Sequence, residues 1–350
     1  MPVIKVQNKD GKGNPNHSSE TGEFVSADYA GEAKLNDSRE FDKQNNSLDD
    51  DIDWDDLFSE GDPNDEINKM WNEILNEEDQ KKNVEEMTNE EMIKEINECK
   101  NFFDQKGIIF DNYDNFFSGD LKLKCSNFRQ LKRLMEEYPI PLEGCKFVYK
   151  NLPSSTPAQT ISSRIEEKQV EINGRFDLAC DFDTLEINLA MEFGSHFFNN
   201  YYKTKSGVVE QIKEGNWVDG AEEYKVLTVI SHEYGHMVQN YIKQKIGVYD
   251  SIIGEINNKT YYPHFYEFTY NLQRSDFRKM NNKYSTIMKN EIKNIYKQMT
   301  GKKVEDFYKE QSRYGETSPS EFFAETFASL TCGKPTETAL AMKEWLKKYF

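Results

Sequence analysis

Apolar residues recur at three- and four-residue steps between Asn127 and Tyr138, where Phe128, Leu131, Leu134 and Met135 share one face of a predicted helix. Pro139 and Pro141 end it. Cys145-Lys-Phe-Val-Tyr149 then reads as a strand, and Pro153 to Pro157 as a polar loop. Val170 to Ala179 alternates apolar and polar residues, as does Thr184 to Leu189. That period is the mark of strands half-buried on one face. Trp217 to Gly220 predicts a turn. A helix is expected from Ala221 to about Lys245, with Gly247 as its stop. From Pro263 onward the spacing is helical for most of the chain, with breaks at Asn281-Asn282 and Gly301. No internal repeat is visible.

Residues 1 to 95 read differently. Gly11 to Phe24 is rich in turn formers, and Asp49 to Glu66 is a dense acidic run interrupted by Ile52, Trp54, Leu57 and Phe58. Such a segment buries too little apolar area to offset its ordering entropy. A disordered acidic tail is therefore expected, with its spaced aromatics as a docking site for a protein partner. From Glu77 to Cys99, Val84, Met87, Met92, Ile93 and Ile96 fall at helical spacing and predict a marginal linker helix. The compact part is expected to begin near Phe102. The expected division is a tail and linker over 1–95 and a folded domain over 96–350.

Composition narrows the function classes. The 350 residues include 44 Lys and Arg against 62 Asp and Glu, a formal net charge of −18. A chain this acidic repels phosphate backbones, which argues against nucleic acid as a partner. The mean hydropathy, −0.85, fits a core accompanied by a solvated part. Five cysteines lie far apart with no Cys-x-x-Cys pair, so a disulfide framework is not implied and a reducing compartment is the simpler reading. The N-terminus has no apolar signal core, and no stretch approaches the roughly 18 apolar residues of a membrane span. The expectation is a soluble product without a Sec-type signal, cytoplasmic at synthesis.

Chemistry concentrates in Thr228 to Tyr241. Within it, His232-Glu-Tyr-Gly-His236 is an H-E-x-x-H pentapeptide. On a helix the two histidines stand one turn apart on one face, able to grip one zinc ion at roughly 2.0–2.1 Å each. Glu233 can then stand beside the metal and take a proton from its bound water. Taken alone the pentapeptide is a weak signal. An apolar lead-in, Val226 to Ile230, and Gly235, which would let another segment approach closely, strengthen it.

A catalytic zinc commonly takes three protein ligands and leaves a fourth position for water. The metzincin extension would place Gly and His where this chain has Gln239 and Ile242, which excludes that class. His17 lies in the tail, and His196 and His264 read as ordinary surface or packing residues. A glutamate remains. Glu321 is the best candidate, on a helix that Ser318 would cap and Pro319 would begin. Glu321 could instead close a capping box with Ser318. However, Glu321 and Glu325 sit one turn apart among Phe322, Phe323, Ala324, Phe327 and Ala328, where two carboxylates are costly unless they meet a cation or donors. Glu325 would then accept a hydrogen bond from a ligand histidine. Glu255 is the rival, at a thermolysin-like distance beyond His236 but in what reads as a turn.

The two motifs together, His232 to His236 and Tyr314-Gly-Glu-Thr-Ser-Pro-Ser-Glu-Phe-Phe-Ala-Glu325, resemble the catalytic domain of anthrax lethal factor and its relatives, which include the Pro-Pro endopeptidases. The resemblance covers roughly residues 140 to 350. It implies two zinc ligands and a base from the first motif, and the third ligand from Glu321. It also implies that Tyr314, seven residues before Glu321, points at the metal-bound oxygen. Within the tail, the Gly-Asn-Pro-Asn-His and Thr-Gly-Glu-Phe segments are similar to pieces found in phage head-morphogenesis proteins.

The expected fold is α+β: a zincin-like metalloprotease domain with a small mixed sheet and a mostly helical C-terminal half, behind a disordered acidic region. The expected function is a zinc-dependent endopeptidase acting on a peptide or protein substrate. One Zn2+ would be held by His232, His236 and Glu321, with Glu233 and Tyr314 catalytic and Glu325 behind the ligands. The substrate is expected to add as a strand along Leu185, Glu186, Ile187, Asn188 and Leu189. The alternatives are a phage virion or head-associated protein carrying a zincin-fold domain, and a lethal factor-like toxin or effector delivered into a target cell.

Overall fold

The structure is a computed structural model that describes residues 16–17, 24–25, 83–111, 113, 120–150, 158–161, 164–170, 175–181, 186–190, 212–219, 227–259, 266–332 and 335–350. The first elements are a short antiparallel pair, β1 (Asn16–His17) and β2 (Phe24–Val25). The expected disorder of the acidic tail otherwise falls outside the described residues.

Helix α1 (Asn89–Gln105) opens with a full capping box. Thr88 Oγ1 accepts from the Glu91 N–H at 3.2 Å, and Glu91 Oε2 accepts from the Thr88 N–H at 2.7 Å. Its Met92, Ile96, Cys99 and Phe103 recur every three or four residues and are buried against α2 (Leu121–Glu137). The expected boundary at 95/96 therefore falls inside a helix of the core. Val84 and Met87 pack partly against the same core, so the compact part reaches back well before Phe102. Helix α2 also starts earlier than expected, because Asp120 caps it by accepting from the Leu123 N–H at 2.9 Å.

Strands β3 (Ile109–Asp111), β4 (Lys146–Lys150), β5 (Ala158–Ile161) and β8 (Glu186–Ala190) form one mixed sheet in the order β3-β4-β8-β5. Its pairings run β3 parallel to β4, β4 parallel to β8, and β8 antiparallel to β5. Between β5 and β8, β6 (Arg164–Val170) and β7 (Arg175–Asp181) make a separate antiparallel hairpin. The single strand expected over 170–179 is thus the closing end of two strands, with Val170 opposite Arg175.

This topology corrects the expected substrate strand. Glu186, Ile187, Asn188 and Leu189 lie in β8, which is hydrogen-bonded to β4 on one edge and to β5 on the other. Leu185 lies outside the described residues. A strand paired on both edges has no backbone groups left for an incoming peptide. Among the described residues, β5 pairs on one edge only and packs against the motif helix.

The rest is helical. Helix α3 (Leu227–Lys245) carries the pentapeptide and ends at Gly247, whose φ of +71° few other residues tolerate. Helix α4 (Val248–Lys259) follows at once, so Glu255 sits on a helix and not in the expected turn, with its side chain exposed. Helix α5 (Tyr266–Thr300) runs for 35 residues without the break expected at Asn281-Asn282. Asn281 Oδ1 instead accepts from the buried Lys243 at 3.0 Å, a tertiary contact that overrides local propensity. Gly301, at φ +64°, does end the helix. Helices α6 (Val304–Lys309), α7 (Pro319–Thr331) and α8 (Glu337–Leu346) complete the chain. The fold is α+β and mostly helical. Cys99, Cys125, Cys145 and Cys332 are buried free thiols. No described helix is long and apolar enough to cross a membrane.

Candidate metal centre

Among the described helices, α3 and α7 make the most extensive contact, and Gly235 lets them approach. A β-carbon at Gly235 would stand 3.1 Å from Phe327 Cβ and 3.2 Å from Ala324 Cα. With only hydrogen there, the two backbones close in and their polar residues meet inside the core. This is the close approach expected of Gly235.

The contact brings His232, His236 and Glu321 together. The two Nε2 atoms are 3.1 Å apart. Glu321 Oε2 lies 3.1 Å from the first and 3.3 Å from the second. A tetrahedral metal with ligand bonds of roughly 2.0–2.1 Å has ligand-to-ligand edges of about 3.3–3.4 Å. The triangle therefore matches one face of such a site, and the group could hold a metal ion. Glu321 Oε2 is buried and faces both imidazole nitrogens, so the three atoms share one point that a proton or a cation would fill. The capping-box alternative is half true. The Glu321 N–H donates to Ser318 Oγ at 3.2 Å, but its carboxylate turns to the histidines. Glu255, exposed on α4, is not part of the group.

Behind the triangle each histidine is held by its other nitrogen. His232 Nδ1 lies 2.8 Å from Glu325 Oε1. Glu325 Oε2 in turn accepts from Ser312 Oγ at 2.6 Å and from the Val218 N–H at 3.0 Å. This carboxylate is buried yet fully partnered, and it orients Nε2 of His232 toward the cluster. His236 Nδ1 faces Ser320 Oγ at 3.5 Å, and Ser320 donates to Gln239 Oε1 at 2.8 Å.

Charge in the cluster is shared. Burial alone would depress the His232 imidazole, but its interactions with Glu321 and Glu325 outweigh it and raise its pKa to about 10. Burial would raise Glu321, yet His236 and His232 hold it well below the usual carboxylate range. Glu233 is buried beside them and its carboxyl is pushed up, mainly by desolvation, with both histidines opposing. Tyr314 is also buried, its ring 5.5 Å from that of His232. Burial, then the charge of Glu321, pushes its phenol well above the usual range.

A small cleft, with space for about one water, lies beside His232, lined also by Trp217, Thr228, Val229, Glu233, Tyr314 and Glu325. The turn at 312–317 and the segment 215–218 wall it. They are tied by the Tyr314 N–H donating to Asn216 O at 3.0 Å and the Arg313 N–H to Gly215 O at 2.9 Å. The structure thus brings together every residue expected at the centre: His232, Glu233, His236, Tyr314, Glu321 and Glu325.

Sequence reasoning missed Thr160. Its hydroxyl, on β5, donates to Glu233 Oε2 at 2.5 Å and lies 3.1 Å from the Glu233 backbone oxygen. Ser312 and Ser320 were missed as well. Nothing local marks Thr160, whereas Ser320 directly precedes a candidate ligand. Compared with known proteins, the chain matches no family model, no curated protein and no solved structure.

Proposed function

We propose that this chain is a zinc-dependent endopeptidase whose catalytic domain is of the zincin type. One observation carries the reading: three metal-ligand atoms converge within 3.1–3.3 Å on one side of a buried glutamate that is not itself a ligand. Two imidazole nitrogens and one carboxylate oxygen are a donor set that suits zinc. The two-motif resemblance to the lethal factor family supports the same assignment of His232, His236 and Glu321.

When bound, zinc supplies Lewis acidity, which acidifies water towards a pKa of about 7 and polarises a carbonyl. The residues of the chain do the rest. Glu233 takes a proton from the attacking water and later returns it to the leaving amine. Burial keeps its basicity up, which suits proton transfer near neutral pH. Tyr314 keeps its proton at any physiological pH, because burial raises its phenol, and so it can donate to a developing oxyanion. Glu325 holds the His232 ring, and Ser320 faces the outer nitrogen of His236. A peptide substrate would pair with the edge of β5 that no described strand occupies, beside Glu233, and not with β8.

Metal analysis joined to cleavage of a peptide library tests the reading. About one zinc per chain and cleavage that Glu233→Gln abolishes, with zinc retained, are the expected results. A wild-type chain that binds zinc but cleaves nothing would remove the endopeptidase assignment.

A further inference from the structure

The edge strand does more than lie beside the cluster. Glu233 is 2% exposed, and a charged carboxylate in that setting needs donors. Among the described residues, the donor to its carboxylate is the Thr160 hydroxyl, at 2.5 Å. The same hydroxyl lies 3.1 Å from the Glu233 carbonyl oxygen, so it sits against the helix turn that carries the carboxylate. Thr160 sits within a four-residue strand, opposite Ile187 of β8. Two residues earlier, Ala158 is fully buried, which sets that face of β5 toward the core.

We propose that Thr160 is the positioning residue for Glu233, so that the strand offered to the substrate also sets the orientation of the base. A peptide on the edge of β5 that no described strand occupies would run about 4.8 Å from it, the ordinary spacing of neighbouring strands. Any displacement of β5 would carry the hydroxyl with it, because the Thr160 backbone is part of the ladder. Docking and base alignment then share one residue. A hydroxyl is well suited to the role, since it orients a carboxylate without the charge of Lys or Arg, which would neutralise a base. This inference rests on the endopeptidase reading.

The test uses the full chain in four variants: Thr160→Val, which keeps the shape and removes the hydroxyl, Thr160→Ser, which keeps the hydroxyl, Glu233→Ala, and Thr160→Val combined with Glu233→Ala. Zinc affinity, cleavage of the peptide library's best member and unfolding midpoints of the metal-free protein are measured. Thr160→Val should lower kcat about tenfold or more, with KM and zinc affinity within about twofold, and Thr160→Ser should restore most of kcat. In the metal-free protein Thr160→Val should shift the midpoint in the Glu233 background and much less in the Glu233→Ala background. Wild-type kcat in Thr160→Val, or equal losses in the Val and Ser variants, overturns the positioning role alone. Additive midpoint shifts overturn it too. A wild-type chain that cleaves nothing overturns the endopeptidase reading, and the role of Thr160 falls with it even where the midpoints couple.

Discussion

Glu325 Oε1 stands 2.8 Å from His232 Nδ1, and the Nε2 atom of the same ring belongs to the three-atom cluster. A carboxylate one helical turn after Glu321 therefore decides which nitrogen of His232 faces the cluster. Glu325→Ala should weaken metal affinity by about 10–100-fold, the usual cost of losing the partner of a ligand histidine. It would also strand the Val218 N–H and the Ser312 hydroxyl, which both donate to Glu325. Glu321→Ala should cost more, since it removes a ligand atom, and Glu255→Ala should leave affinity unchanged. Competition titration against a chelator ranks the three, and an affinity governed by Glu255 would refute the assignment.

Metal uptake should release protons. In the metal-free cluster, burial opposes the imidazolium of His232, but Glu321 and Glu325 hold its pKa at about 10. The ring is therefore protonated at neutral pH and must give up a proton before Nε2 can bind a metal. Affinity should rise as pH rises through the neutral range toward 10. Calorimetry of zinc binding in two buffers of different ionisation enthalpy reads the proton count. A heat independent of the buffer would mean that His232 is already neutral.

Much of the centre is legible in the sequence, because its parts are local. His232, Glu233 and His236 share one turn of one helix, and helical spacing alone places them. Glu321 and Glu325 betray themselves as carboxylates among phenylalanines, an arrangement that needs a cation or donors. What stays hidden is set by distant contacts. Alternation in Thr184 to Leu189 reports one buried face and cannot distinguish an edge strand from a central one, so it points to β8 as the substrate strand when β8 is paired on both sides. Thr160 carries no chemical signal in its own neighbourhood, and its partner is 73 residues away. Asn281-Asn282 looks like a break because the lysine that satisfies Asn281 lies on another helix.

Gly235 offers a test of the packing that brings the ligands together. Gly235→Ala would place a methyl group 3.1–3.2 Å from Phe327 and Ala324, and one of these contacts is with backbone. The α3–α7 contact must then open. A loss of about 1–3 kcal/mol is expected, the usual cost of overpacking, together with weaker metal binding because Glu321 moves away with α7. Equilibrium unfolding and zinc titration of the same variant should fall together. A fall in stability with zinc affinity intact would separate packing from the site.

Truncation tests where the folded part begins. A chain starting at residue 96 loses Met92 from the core and the Thr88–Glu91 capping box. Core truncations of this size cost about 2–5 kcal/mol, and loss of a cap about 0.5–2 kcal/mol more. A chain starting at residue 83 keeps both. The two chains should differ in unfolding midpoint by far more than the 13 residues between them would suggest. Equal midpoints would return the boundary to 95/96.

Lys243 makes a prediction about pH. It lies on the metal helix, 1% exposed, with Asn281 Oδ1 at 3.0 Å, Ser285 Oγ at 2.7 Å and Gln239 Oε1 at 3.5 Å. Three neutral oxygens face the amine, and burial lowers its pKa from 10.5 to about 7. The unfolded chain keeps that proton up to about pH 10.5, whereas the folded chain begins to lose it near 7. Between those values the unfolded state binds more protons, so stability should rise with pH. The penalty is fully present below about 7 and gone above about 10.5. The slope from this one group is at most about 1.4 kcal/mol per pH unit. His232 in the metal-free chain acts in the opposite direction, since its raised pKa adds stability below about 6.5 that is lost as pH rises through 10. The readout is therefore the difference between the wild type and Lys243→Met, unfolded by denaturant at several values from about pH 7 to 10. The wild type should gain stability relative to the variant across that range. A constant difference would mean that Lys243 keeps its proton in the fold, and that its three oxygen partners stabilise the ammonium as well as water does.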